Sequence, residues 1–173
     1  MKSGRTAKPS LIIVDSQSVK NSFTAREKGY DTGKQVSGIK RHIFVDIEGL
    51  PHGTIVTKAN VPDRDGAILL AMEHKLKLAH VIKALADGGY QGPQFSKGMK
   101  LILHKTKQDD IEIEVVKRSD LHKFVVIPKR WIVERTFAWL AKYRRLNVNR
   151  ERYLATSQQV MNFAFIHLML KRL

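Results

Sequence analysis

Apolar positions fall into short β-branched runs in the first half of the chain and recur at helical spacing in the second. Residues 11–14, LIIV, lead into the polar DSQS, the pattern of a buried central strand with Asp15 at or near its carboxyl end. Residues 21–38 are polar and carry Gly29, Gly33 and Gly38, which reads as a long loop. Residues 39–47 and 52–61 form two strands of a hairpin around the break at Gly49, Leu50 and Pro51. Pro62 and Asp63 open a helix with Ile68, Leu69, Met72 and Leu76 at the spacing of one face. Residues 80–86 are a strand that stops at Asp87, because Gly88 and Gly89 cannot sustain it. Further on, Glu112 and Glu114 alternate with Ile111, Ile113 and Val115, a strand with a solvated acidic face. After Pro128 a helix presents Trp131, Phe137, Trp139, Leu140 and Tyr143 as its large apolar contacts, and a last helix spans about residues 157–173.

Three successive strands, a helix, a strand and more helices predict an α/β fold, a mixed sheet flanked by helices in RNase H-like order. Residues 1–10 read as a linker-like basic tail and residues 11–173 as one domain. At 173 residues and 43% hydrophobic content, one domain has enough apolar surface for its own core. The chain has no cysteine, which excludes disulfide scaffolds, thiolate zinc sites and cysteine nucleophiles. The apolar run at residues 11–14 is too short for a signal-peptide core or a membrane span, so a soluble intracellular protein is expected.

The formal charge of +15 favours a polyanionic partner, nucleic acid first. From residue 129 onward ten Lys/Arg face only Glu134 and Glu151, on segments that read as helix. Lys117, Arg118, Lys129, Arg130, Arg135, Arg144 and Arg145 are the candidate phosphate contacts; a solubilising surface is the plainer reading of the same cluster.

Cutting or joining a phosphodiester builds charge on the attacking and leaving oxygens, which two divalent ions about 3.5–4 Å apart can stabilise. Magnesium needs oxygen ligands and takes one or two carboxylates per ion. Asp15 and Asp87 end strands, and Glu134 is an acid on an otherwise basic helix, in one stripe with Arg130, Ala138, Ala141 and Arg145. Taken singly, each has a bland alternative: a strand-end cap for Asp15, a turn residue for Asp87 and an i, i+4 ion pair with Arg130 for Glu134. Asp46 suits a hairpin turn, Asp63 and Asp65 suit a helix N-terminus, and Trp131 and Trp139 suit core packing or base stacking.

The strings IIVDSQSVK, GIKRHIFVD, KANVPDRDGA, LADGGYQG, EVVKRSD, FVVIPKRWIVERTFAWLAKYRRLNVNRE and FIHLMLKRL occur in this order. Over residues 11–173 the chain resembles the catalytic half of bacterial insertion-sequence transposases of the insertion-sequence-four/five superfamily. The resemblance implies a DDE triad on an RNase H-like fold, placed on Asp15, Asp87 and Glu134 as catalytic and metal-holding residues. It implies two Mg2+ ions, with Mn2+ as a substitute, and cleavage and transfer of DNA strands at the ends of a mobile element and into target DNA. It also implies a homo-oligomer on DNA. In the superfamily's tyrosine–arginine–glutamate–lysine signature, Arg130 keeps the arginine's offset from Glu134, whereas Ile127 and Ala141 stand at the tyrosine and lysine positions and Lys142 is one place late. Many relatives begin with a helical end-recognition segment; a linker-like start after Met1 fits either the second frame of a frameshifted element, partnered by an upstream-frame product, or a truncated copy. The competing expectation is a non-catalytic DNA-binding or regulatory fragment of a transposase.

Overall fold

The computed structural model describes residues 8–103, 111–116 and 130–171, with the side chain of Arg130 outside that description. Its sheet is built on β1 (Leu11–Lys20), which pairs antiparallel with β3 (Val36–Val45) on one side and parallel with β5 (Lys83–Ala86) on the other. β2 (Gly29–Asp31) and β4 (Pro51–Lys58) continue beyond β3, and β6 (Glu112–Val115) pairs parallel with β5. The expected neighbourhood of the first strand and the strand leading to Asp87 is therefore present. β1 is longer than its apolar run suggests. Asp15 lies mid-strand because residues 15–20 keep pairing with β3, while the parallel pairing with β5 ends at Val14↔Ala86. The loop expected over residues 21–38 contains β2 and the start of β3.

Two apolar layers cover the sheet. Ile12, Val14, Phe44, Ala84 and Ala86 face α1 (Asp63–His74) and α2 (Pro93–Leu103). Ile13, Val19, Ile39, Ile43 and Val45 face α3 (Arg130–Ala141) and α4 (Leu154–Leu170). The split is the two-residue period of the strands made physical, since alternate side chains leave on opposite faces. α1 departs from the expected face. It buries Gly66, Ala67, Leu70 and Ala71, leaves Leu69 and Met72 exposed, and ends at His74, before the exposed Leu76. The small residues win the inward side because Gly66 lies directly against the His42 ring, where a larger side chain has no room.

α3 buries Ile132, Val133, Phe137 and Leu140, whereas Trp131 is 54% exposed. Trp131 and Trp139 instead flank Arg135, whose guanidinium carbon lies 4.5 and 4.7 Å from the two ring centroids. Arg135 Nη2 donates to the Glu48 carbonyl at 2.8 Å, and the Thr136 hydroxyl donates to the Gly49 carbonyl at 2.9 Å. These bonds dock the β3–β4 turn under α3. Gly49 has φ of 81°, and a Cβ there would meet Thr136 Oγ1 and the Trp139 ring, so both conformation and contact call for glycine. Asp46 closes the same turn, accepting from the Glu48 and Leu50 amides and pairing with His52, as its hairpin reading requires. Glu112 and Glu114 are not merely solvated, since both bond Lys83 Nζ, at 2.8 and 2.7 Å.

Candidate active site

Strand pairing places the first two acids. Val14 and Ala86 are partners on parallel strands about 4.8 Å apart, so Asp15 follows on β1 and Asp87 follows directly after the end of β5. Val14 points into the α1 layer, and alternation along β1 turns Asp15 toward the face that α3 covers, whereas Asp87 lies past the end of β5 at the start of a 3-10 turn. Both aspartates are half-buried. Asp15 Oδ1 accepts from the Ser16 amide at 2.8 Å, and Asp87 caps a short 3-10 turn by accepting from the Gly89 amide at 2.9 Å. Asp87 thus fills the turn role of its plainer reading, whereas Asp15, in mid-strand, is not a strand-end cap.

Glu134 stands exposed on α3, the helix packed over β1. Among the described residues, no three His, Asp or Glu side chains gather closely enough to hold a metal ion. The structure therefore brings together Asp15 and Asp87 and leaves Glu134 on the neighbouring helix. In number and donor type, two hard carboxylates that follow neighbouring strand residues match the one or two carboxylates that a magnesium ion takes from protein.

The candidate cations divide. Lys117, Arg118 and Lys129 lie outside the described residues, and Arg130 opens α3. Arg135 is held between the two tryptophans. Arg144 and Arg145 sit exposed on a 3-10 turn just beyond α3, Arg145 paired with Glu151 at 2.8 Å.

Behind the aspartates lies a charged network that pattern reading missed. Lys40, only 6% exposed, bonds Asp63 at 2.8 Å, Asp31 at 3.1 Å and the Val61 carbonyl at 2.9 Å. Lys34 reaches Asp63 at 3.9 Å and the Ser16 carbonyl at 3.3 Å. Burial raises the Asp63 carboxyl, but Lys40, Lys34 and the Ser16 side chain outweigh it and hold the acid below its ordinary range. Burial likewise pulls Asp31 up, yet the bonds from Ser18, the Lys34 amide and Lys40 bring it down to about 2. Asp63 is thus more than a helix-terminal acid. It stands close to Asp87: a Cβ on Gly89 would lie 3.0 Å from Asp87 Oδ1 and 3.9 Å from Asp63 Oδ2. Tyr90, fully buried beneath this cluster, is pushed well above its usual range by burial, reinforced by the charges of Asp15, Asp63 and Asp87. The available signal was the run Lys40-Arg41-His42 inside an otherwise apolar strand.

Comparison with known proteins identifies the family. The model of the transposase DDE domain family matches residues 6–169. A candidate transposase for insertion sequence element IS402 of Burkholderia cepacia is 32% identical over 130 residues, which cover 70% of this chain and 57% of that protein. The chain thus spans just over half the length of that relative. In fold it resembles a chain from the cryo-EM structure of the simian T-cell lymphotropic virus intasome in complex with PP2A regulatory subunit B56 gamma. The TM-score is 0.53 at 16% identity, with 93% of this chain and 49% of the other covered. The architecture is α/β and RNase H-like, and among the described residues no helix is long and apolar enough to cross a membrane. With the family model matched along almost the whole chain, the protein belongs to the transposase DDE domain family.

Proposed function

We propose that residues 11–173 form the catalytic domain of a DNA transposase that cleaves and transfers DNA strands with Mg2+, or Mn2+ in its place, as the metal. The observation carrying this reading is that Asp15 and Asp87 directly follow Val14 and Ala86, partners on adjacent parallel strands, with the helix that bears Glu134 packed over β1. Asp15 and Asp87 would hold the metal, and Glu134 would complete the set if α3 shifts on binding DNA. When bound, divalent ions polarise phosphoryl oxygens and lower the pKa of water. The chain's own part is to fix the two carboxylates, to exclude water on the Tyr90 side and to offer phosphates the exposed Arg144 and Arg145, with Lys117, Arg118, Lys129 and Arg130 as further contacts. DNA at the ends of the element and at the target is the substrate, and joining two ends brings copies of the chain together. An upstream-frame product is a further proposed partner.

The test is metal-dependent cleavage of duplexes carrying the parent element's ends, by wild type and by Asp15→Asn, Asp87→Asn and Glu134→Gln. Each substitution keeps size and removes a charge, so we expect rates lower by orders of magnitude with folding and DNA affinity retained. Asp15→Asn or Asp87→Asn cleaving as fast as wild type refutes the site. An equally active Glu134→Gln variant, losing only about 0.3–0.5 kcal/mol of stability, reduces Glu134 to a surface ion-pair residue.

A further inference from the structure

A second surface on the chain, apart from the acids and from the arginines after α3, combines exposed aromatic rings with lysines. The connection between β1 and β3 frames an open cleft of about 470 Å³ lined by Lys20, Phe23, Lys28, Tyr30 and Gln35 among others. Phe23 is 98% exposed and Tyr30 52% exposed. An aromatic ring left in water contributes nothing to the core, and here two share one cleft with two lysines. Across residues 20–37 the cations Lys20, Arg26, Lys28 and Lys34 face only Glu27 and Asp31, and Asp31 is turned inward onto Lys40.

The exposure of Phe23 is not that of a loose loop. The Ser22 amide donates to the Asn149 carbonyl and the Asn149 amide to the Lys20 carbonyl, both at 2.8 Å. Asn149 Nδ2 donates to Asn21 Oδ1 at 2.9 Å, the Thr24 hydroxyl to the Arg150 carbonyl at 2.9 Å and Asn21 Nδ2 to the Glu27 carbonyl at 2.8 Å. Phe23 is thus the tip of a turn whose neighbours on both sides are tied to the segment leading into α4. A rigid aromatic spends little entropy when it stacks on a ligand.

We propose that this cleft binds an unpaired nucleobase of a DNA strand, stacked on Phe23 and Tyr30, with the flanking phosphates on Lys20 and Lys28. Aromatic faces interleaved with cations are the chemistry of single-strand recognition, since every base offers a π-face and every linkage a charge. The cleft is also placed to serve the aspartates. Lys20 ends the strand that carries Asp15, roughly 17 Å further along it, and Lys34 of the same connection bonds the carbonyl next to Asp15. The proposal rests on the DNA-processing reading and specifies where a frayed or displaced strand near the cut is held. The tryptophans of α3, the sequence's first candidates for stacking, are engaged with Arg135.

The test uses the 173-residue chain, with binding measured by fluorescence anisotropy. The probes are a blunt duplex and the same duplex with a short single-stranded overhang. Wild type should prefer the overhang, and Phe23→Ala and Tyr30→Ala should each weaken overhang binding by about 5- to 100-fold, with blunt-duplex binding unchanged. Phe23→Trp should restore the preference, and its added indole emission should change on binding the overhang but not the blunt duplex. Alanine variants that bind the overhang like wild type would overturn the cleft and leave the DNA reading intact. Equal losses on both probes would reduce the rings to general contacts and overturn base recognition. Wild type binding neither probe at low salt would overturn both readings.

Discussion

Replacing Arg135 by alanine separates a structural cation from a DNA-binding one. Its guanidinium lies over two indole rings, at 4.5 and 4.7 Å, and donates to the Glu48 carbonyl at 2.8 Å. Cation–π contacts at exposed sites contribute about 0.5–1 kcal/mol each, and a hydrogen bond at a solvated turn about 0.5–1.5 kcal/mol. The three share one side chain and overlap, so a loss of about 2 kcal/mol is expected for Arg135→Ala. For a chain of this size that lowers the melting temperature by about 4–8 °C. Arg135→Lys keeps the charge and loses the planar fork, so it should recover less than half of the loss. Urea denaturation of both variants, with a double-mutant cycle against Trp131→Ala, measures the clamp directly; the expected coupling is about 0.5–1 kcal/mol. DNA affinity provides the opposing readout. A phosphate contact would be weakened by alanine, restored by lysine and invisible in the denaturation midpoint. That pattern, with stability within 0.5 kcal/mol of wild type by the ~0.5 kcal/mol scatter of surface substitutions, would refute the clamp. Because the clamp holds the β3–β4 turn to the helix bearing Glu134, Arg135→Ala should also slow cleavage while Asp15 and Asp87 stay in place.

Three further outcomes follow from buried charge. Burial lowers the His42 pKa from 6.5 to about 4, although Asp63 pulls it up while Lys40 and Lys34 push it further down. The unfolded chain therefore takes up this proton first as pH falls: the stability is whole above pH 6.5 and lost progressively down to about 4, by roughly 3 kcal/mol at most. Urea midpoints from pH 7 to 4 should fall more steeply for wild type than for His42→Gln, and parallel curves would remove His42 as the cause. Lys40→Met strands Asp31 and Asp63 without their shared cation and should cost about 3–5 kcal/mol, with partial recovery on adding Asp31→Asn; calorimetry showing a loss below about 1 kcal/mol would contradict the network. Arg41, 3% exposed and held near a pKa of about 10 by burial, has no ion-pair partner among the described residues, so Arg41→Met should be neutral or stabilising at pH 7. A destabilised Arg41→Met variant would show that the guanidinium supports the core despite its unpaired charge.

The hairpin and the neighbourhood of the first strand with the strand leading to Asp87 were legible because periodicity and glycine placement are local signals. The run at residues 11–14, the break at Gly49 and the stop at Gly88 and Gly89 each constrain their own neighbourhood, and together they bring Asp15 beside Asp87. The inward side of α1 was not legible by hydrophobicity, because Ala67, Ala71 and Gly66 are selected by closeness to the sheet rather than by apolar bulk. Trp131 fails the same rule in the other direction: a large ring can be kept at the surface when a cation stacks on it.

Lys40 shows where one-dimensional reading stops. Between Ile39 and Ile43 a lysine suggests an exposed face, yet β3 is central in the sheet and buried on both sides, and its cation is neutralised by acids 9 positions before it and 23 positions after it. Such a network is specified by three separate segments, β2, β3 and the first turn of α1, and none of them has a motif that announces the other two. The same three segments surround Ser16 and back the aspartates, so the positions hardest to read are those that fix the site's geometry. Their burial makes the arrangement costly to rebuild around a single substitution, because removing one charge leaves its partners uncompensated. The two rings of the β1–β3 cleft are the converse case: a Phe at the tip of a polar loop conflicts with its local pattern in plain sight, and only the hydrogen bonds that hold the turn reveal that its exposure is built in.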